Sequence, residues 1–215
     1  MANPSTAYGL QLLQVDGSKD FRASLNVYKV ATATTNAIFV GDPVIKITAS
    51  ADVNGVNGVN LATGATGSKI TGVVCGFLGV GTAQLGSQWA PSFFGLSGTP
   101  GPAYKPANAA GVYYVLVCDD PDALYSIQSD DGGGDPVATI VGRNANLASG
   151  TGSAYTGLSG WQLDVSTIAT TASNQMQVVG ILPEIDNIAG STQAHSKWIV
   201  KINQSTVRSF AVAGI

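Results

Sequence analysis

The chain has 215 residues, of which 11% are charged, and its formal net charge is −3. An ordinary soluble domain has about 25% charged residues, and the mean hydropathy of this chain is correspondingly high at +0.22. Its ten Lys and Arg residues are spread thinly, which argues against nucleic acid as the main partner because phosphate neutralisation needs many cations.

Strand-forming runs dominate the chain, separated by Gly, Asn, Asp and Pro. Glu184 is the only glutamate. The charged residues that usually occupy the exposed faces of helices are therefore scarce. The pattern predicts an all-β fold, either a jelly roll or a β-barrel or sandwich-like domain. The predicted strands are Leu10–Val15, Leu25–Val30, Ala37–Val40, Val44–Ala49, Lys69–Phe77, Val112–Cys118, Leu124–Gln128, Val137–Val141, Trp161–Val165, Gln177–Leu182 and Trp198–Ile202.

Two turn signals punctuate these strands. Gly-Asp-Pro-Val occurs at 41–44 and at 134–137, and proline suits the first residue of a strand after a tight turn. Tandem Asn-Gly pairs at 53–60 predict an exposed, adaptable loop.

The longest stretch without strand character, 78–110, predicts a long aromatic loop. It contains four prolines together with Trp89, Phe93, Phe94 and Tyr104. Long ordered loops are often functional, so these rings either pack on the domain's own core or are offered to a partner.

We divide the chain into an N-terminal arm with the first strand (1–20), a β-barrel or jelly-roll domain (21–203) and a C-terminal tail (204–215). The tail is mildly basic with an apolar tip. It suits either strand addition to a neighbouring subunit or cover for the domain's own sheet edge, and we favour the first.

The first residues lack the basic and apolar regions of a secretory signal, and without a stretch of about 18 apolar residues we expect no transmembrane helix.

Few residues in the chain are candidates for catalysis or metal binding. His195 is the only histidine and is predicted to lie in an exposed turn before a strand, which disfavours metal or triad chemistry. Cys75 and Cys118 lie in apolar runs and are predicted to be buried free thiols, with one disulfide as the alternative. We therefore predict no catalytic residues, no metal and no cofactor.

Six acids cluster within 17 residues, which leaves calcium binding open as an alternative to plain turn chemistry. No glutamate follows to complete an EF-hand loop. The acids are Asp119, Asp120, Asp122, Asp130, Asp131 and Asp135.

Patches over most of the chain resemble the head cement (decoration) proteins of tailed, especially short-tailed, bacteriophages. The clearest of them runs from Tyr114 to Asp122 and includes Cys118-Asp119-Asp120-Pro121. The remaining patches are Met1–Pro4, Tyr8–Leu10, Ala37–Val44, Ile70–Phe77, Tyr104–Ala107, Ser159–Asp164 and Lys197–Asn203.

The resemblance implies a structural virion protein on the outer capsid surface, made in the host bacterial cytoplasm. It would sit as a dimer or trimer on a shell of HK97-like major capsid proteins and stabilise that shell by bridging subunits. The alternatives are a tail- or fibre-associated or carbohydrate-binding β-module, or an enzyme on a jelly-roll scaffold. The predicted interface residues are Pro4, Tyr8, Trp89, Phe93, Phe94, Arg208, Phe210 and Val212.

Overall fold

A computed structural model describes residues 3–14, 25–31, 34–47, 51, 55–78, 102–132, 138–188, 194–207 and 212–214. These residues form thirteen strands and one short 3-10 helix, Ala138–Ile140. The strands are β1 Gln11–Gln14, β2 Leu25–Val30, β3 Ile38–Phe39, β4 Pro43–Ile47, β5 Gly58–Leu61, β6 Gly72–Phe77, β7 Tyr104–Lys105, β8 Tyr114–Cys118, β9 Leu124–Gln128, β10 Asn144–Ala148, β11 Gln162–Ala169, β12 Met176–Ile181 and β13 Lys197–Ile202.

The predicted all-β class is confirmed, but some local predictions are wrong. The predicted strand Val137–Val141 is the 3-10 helix Ala138–Ile140 instead, because a short apolar run does not distinguish the two conformations. The Asn-Gly region is not wholly an exposed loop, since it leads into β5, where Val59 is fully buried. Asn-rich β10 was not predicted, because asparagine is a poor strand former in isolation.

Strands β2, β5, β4, β6 and β8 form a closed barrel in that order. β2 and β5 run parallel, with Lys29 opposite Gly58, whereas the other neighbours are antiparallel. The barrel's core consists mainly of valine side chains together with the larger Tyr28 and Phe77, and side chains of this kind fill the interior of a small barrel. Its core includes Val30, Ile38, Val44, Val59, Val74, Val115 and Val117.

A six-stranded antiparallel sheet with the order β1-β9-β13-β12-β10-β11 forms the second half. It curls until β11 returns to the end of β9 through one bridge, Ser129 to Leu163. Asp130 reinforces this bridge, because its N–H donates to the Leu163 carbonyl at 3.0 Å and its Oδ1 accepts the Val165 N–H at 3.0 Å. The Gln162 Nε2 also donates to the Ser129 carbonyl at 3.2 Å, so the sheet closes through one bridge and two side chains.

The two halves share a core. Val73 and Cys118 are paired across β6 and β8 of the barrel, yet both pack into the sheet's core with Trp198, Tyr125 and Met176. One wall of the barrel is thus also a wall of the sheet's core, which makes the two halves a continuous hydrophobic unit.

The turn from Phe39 to Asp42 forms the seam between the halves. The Val40 carbonyl accepts the Ser159 N–H at 2.8 Å and the Gly41 carbonyl accepts the Leu10 N–H at 2.9 Å. Gly41 has a φ of +92°, a conformation that strongly favours glycine. Pro43 begins β4 as the first Gly-Asp-Pro-Val predicts, while the second, at 134–137, lies outside the described residues.

Asp42 lies buried in this seam, with 2% of its surface exposed. Its Oδ2 accepts the Phe39 N–H at 2.8 Å. Burial raises the pKa of the Asp42 carboxyl to about 6, although hydrogen bonds from Ser159 and from the Phe39 backbone act in the opposite direction. The seam thus holds a carboxyl group that keeps its proton to a higher pH than a free aspartate does.

The loop predicted over 78–110 contains a short strand, β7, paired with β3. Within it, the Tyr104 ring stacks on Phe39 with centroids 4.9 Å apart, so this aromatic packs on its own chain. The Lys105 ammonium is buried and donates to the Thr34, Asn36 and Pro106 carbonyls at 3.1 to 3.2 Å. Loss of hydration lowers the pKa of Lys105.

Among the residues that the structure describes, no helical segment has the length and apolar character needed to cross a membrane.

Candidate interaction surface

A turn over residues 183–188 follows β12. It closes with a hydrogen bond from the Asn187 N–H to the Glu184 carbonyl at 3.2 Å. The Asn187 side chain then bridges the flanking strands: its Nδ2 donates to the Leu182 and Lys197 carbonyls and its Oδ1 accepts the Lys197 N–H, each at 2.8 Å. A single carboxamide therefore fixes the turn to both strands.

A second carboxamide, that of Asn3, attaches the N-terminal segment to this turn. The Asn3 Nδ2 lies 3.0 Å from the Ile188 carbonyl and 3.2 Å from the Ala194 carbonyl. The buried Ser196 hydroxyl, which donates to the same Ile188 carbonyl at 2.8 Å, completes the cluster. Residues distant in sequence are thereby held in one place.

A third carboxamide, that of Gln128 at the end of β9, lies beneath them. Its Nε2 donates to the Pro4 carbonyl at 2.8 Å and to the His195 carbonyl at 3.0 Å, and its Oε1 accepts the Thr6 N–H at 3.0 Å. Gln128 is fully buried, so these bonds are shielded from water and their loss would be costly.

These segments line a partly open cavity of about 670 Å³, within the usual size range of binding pockets. Its rim carries an ion pair, with the Lys197 Nζ 2.6 Å from the Glu184 Oε2, and this hydrogen bond raises the pKa of Lys197. The cavity is lined by Asn3, Pro4, Gln128, Pro183, Glu184, Ile185, Asp186, Asn187, Ile188, His195 and Lys197.

Two isoleucines stand exposed on the turn beside this cavity. Ile185 is fully exposed, and Ile188 is 46% exposed. The hydrogen bonds of Asn187 hold the backbone of this turn. A partner that covers the two side chains therefore gains apolar burial and has only side-chain freedom to restrict. We name the surface formed by Pro4, Ile185 and Ile188 around the cavity the isoleucine rim.

The structure brings one predicted interface residue, Pro4, to this rim, where it is exposed. Tyr8 is partly buried nearby, and burial raises the pKa of its hydroxyl. Val212 is half exposed but lies at another end of the sheet, bonded to Asn144 and Asn203. The other predicted residues, Trp89, Phe93, Phe94, Arg208 and Phe210, lie outside the described residues.

Sequence reasoning missed the isoleucine rim. A usable signal was present in Pro183-Glu184-Ile185-Asp186-Asn187, where a β-branched apolar residue stands in the middle of turn-forming residues. The roles of Asn3, Asn187 and Gln128 left no such signal, because their partners are backbone groups supplied by the tertiary fold.

His195 lies in the turn before β13, as predicted, but is half-buried rather than exposed. Its φ is +61°, and its Nδ1 lies 3.3 Å from the Ser129 carbonyl. The ring therefore contributes to the floor of the cavity and contacts the bridge that closes the sheet.

The acidic residues act as turn and cross-strand acceptors where the structure describes them. Asp119 accepts the Tyr28 hydroxyl at 2.7 Å and the Asn26 Nδ2 at 2.9 Å, and Asp120 accepts the Asp122 N–H at 2.8 Å. Asp135 lies outside this part of the chain. Across the described ranges, no group of three or more His, Cys, Asp or Glu side chains is arranged to hold a metal ion.

Both cysteines are free thiols, as predicted. Cys118 is buried and Cys75 is partly buried, and both pack against the sheet's core. Burial raises the pKa of Cys75 to about 12 and also raises that of Cys118, so neither thiol is activated as a nucleophile at neutral pH.

No protein-family model, no curated protein and no solved structure matches this chain.

Proposed function

We propose that this protein is a non-catalytic structural component of a bacteriophage virion that binds the outer capsid surface and bridges major capsid protein subunits. The observation that carries the proposal is the isoleucine rim, where a fully exposed Ile185 is held on a turn fixed by Asn187. Exposed apolar groups that lie together beside a cavity form the kind of patch at which proteins dock.

Three further features support this function. The resemblance of several sequence patches to head cement proteins provides the biological setting. The charge-poor composition favours association, because few like charges oppose it. The fused barrel and sheet form a stiff scaffold, which suits a protein that must transmit load between neighbours.

The proposed partners are an HK97-like major capsid protein and further copies of this chain in a dimer or trimer. A shell presents many identical sites, so an oligomer that engages several at once binds far more tightly than one contact allows. Modest apolar contacts such as Ile185 then suffice. The proposed location is the outer surface of the virion, after synthesis in the host cytoplasm.

The first test is the copy number of this chain in purified virions, measured by quantitative mass spectrometry against the major capsid protein. We expect a number comparable with that of the shell subunit. A small fraction of the shell count would favour the tail- or fibre-associated alternative, and absence from virions would refute the phage assignment.

The second test assigns the surface. Ile185→Ser should weaken binding to shells that lack this chain by about ten- to hundred-fold, the equivalent of the roughly 1.5 to 3 kcal/mol gained by burying one aliphatic side chain. Its unfolding free energy should change by less than about 0.5 kcal/mol, because the side chain is exposed. Val112→Ser is the matched control, since Val112 is a 43% exposed apolar residue beside the barrel. Equal binding by both variants would exclude the isoleucine rim as the attachment surface.

A further inference from the structure

Residues 212–214 lie across the end of the six-stranded sheet and are held by their main chain. The Val212 N–H donates to the Asn203 Oδ1 at 2.8 Å, and the Val212 carbonyl accepts the Asn144 Nδ2 at 2.8 Å. The Gly214 N–H donates to the Thr170 carbonyl at 2.9 Å. The side chains of Val212 and Ala213 are exposed, so recognition of this segment is through its backbone.

The receiving carboxamides are fixed by bonds that do not involve this segment. The Asn203 Nδ2 donates to the Ala172 and Asn174 carbonyls, both at 2.9 Å. The Asn144 Nδ2 also donates to the Thr171 carbonyl at 3.0 Å. Asn144 is 0% exposed and Asn203 is also buried, so the site is organised in advance, which lowers the cost of binding.

Glycine is required at one position of the bound segment. A Cβ at Gly214 would lie 2.8 Å from the Arg143 Cα and 2.9 Å from the Gly142 carbonyl oxygen. Both are backbone atoms that cannot move aside easily. The site therefore accepts an extended peptide whose third residue is glycine and places no comparable demand on the first two.

We propose that Asn144, Asn203 and Thr170 form a peptide-binding site that exchanges its own residues 212–214 for the same residues of a second copy. The identical segment in a neighbour makes the same three hydrogen bonds. The side chains of Val212 and Ala213 are not buried. When the segment leaves its own chain, little apolar burial is therefore lost. Swapping an identical element is a low-cost route to self-association. The high local concentration needed for exchange is the one condition that rests on the proposed shell function.

Two variants of the full chain, each with one added cysteine, test the exchange. Thr170→Cys and Ala213→Cys, both at exposed positions, are mixed and oxidised mildly over a range of protein concentrations. A disulfide between residues 170 and 213 can then form only between two copies. We expect a cross-linked dimer whose yield rises with concentration and which is lost when Gly214→Ala is added to the Ala213→Cys chain.

The wild-type chain and each single variant alone measure the background from Cys75, Cys118 and like-with-like pairing. Ala213→Cys mixed with Tyr155→Cys, an exposed position in another loop, gives the matched control. The double variant Thr170→Cys/Ala213→Cys reports the contact within one chain. An internal link in the double variant without a dimer from the mixture would overturn the exchange, and absence of both links would overturn the site itself. Neither result would alter the copy number in virions, so the proposed function is tested separately.

Discussion

The barrel and the six-stranded sheet close in different ways. Each barrel strand has a partner on both sides, whereas β11 of the sheet meets the end of β9 through one bridge and the side chains of Asp130 and Gln162. The isoleucine rim and the 212–214 segment are both attached to the sheet. A closed barrel has no free edge to offer, and among the described residues both of these features lie on the more open half.

The cores of the barrel and the sheet also differ in the side chains that fill them. The barrel core is mostly valine and isoleucine. The sheet contains larger groups, Trp198 and Tyr125, together with buried carboxamides that bind loop backbones, such as Gln128 and Gln175. Valine packing therefore dominates the barrel core, whereas the buried carboxamides of the sheet bind loop backbones, as the Lys105 ammonium does in β7.

The largest effect that we predict tests the barrel's closure. A Cβ at Gly72 would lie 2.2 Å from the Cys118 carbonyl oxygen, so Gly72→Ala should force β6 away from β8 and lower the unfolding free energy by about 3 kcal/mol or more. Gly180, in β12 of the sheet, has no atom within 4 Å of such a Cβ, and Gly180→Ala should be neutral or mildly stabilising. Urea denaturation of both variants measures the difference, and similar losses would contradict the contrast between the halves.

A second prediction concerns the seam. Because the pKa of Asp42 is about 6 in the folded state and about 3.9 in an unfolded chain, the folded state binds its proton more tightly. The unfolding free energy should therefore fall as pH rises from about 4 to 6 and level off above that, by about 2 to 3 kcal/mol in total.

Asp42→Asn keeps an acceptor for the Phe39 N–H and removes the charge. The variant should lose this component of the pH dependence and be more stable than wild type at pH 7. Denaturation curves at pH 4 and pH 7 provide the comparison. A pH dependence identical to that of wild type would show that Asp42 does not titrate in this range.

A third prediction concerns the bridge that closes the sheet. Asp130→Ala leaves the buried Val165 N–H without its acceptor and should cost about 1 to 3 kcal/mol. Asp130→Asn should retain most of the stability because an amide oxygen can accept the same bond. Hydrogen exchange at Val165 locates the effect. Unchanged protection in Asp130→Ala would show that the Ser129–Leu163 bridge is sufficient alone.

The sequence specified the fold class and most of the strands wherever alternation and β-branched residues coincide, as in β2 and β9, whose predicted bounds match the structure. It failed at β10, where asparagines stand at strand positions because their side chains bond Thr66 and Thr171. Such partners are distant in sequence and emerge only from the fold. The isoleucine rim could not be predicted for the same reason. Nothing in the sequence near Asn3 indicates that its side chain binds the Ile188 and Ala194 carbonyls.

The hydrogen bond from Asn3 to Ile188 joins residues 185 positions apart, and this separation has a consequence for the timing of synthesis. A chain emerging from the ribosome completes its N-terminal part first, yet the isoleucine rim cannot exist until residues 183–197 have also emerged and β13 has joined β9 and β12. Contacts of such long range are also slow to form. Chains that have not yet emerged to β13 therefore do not display the isoleucine rim, and the proposed shell binding would be restricted to chains synthesised beyond that strand.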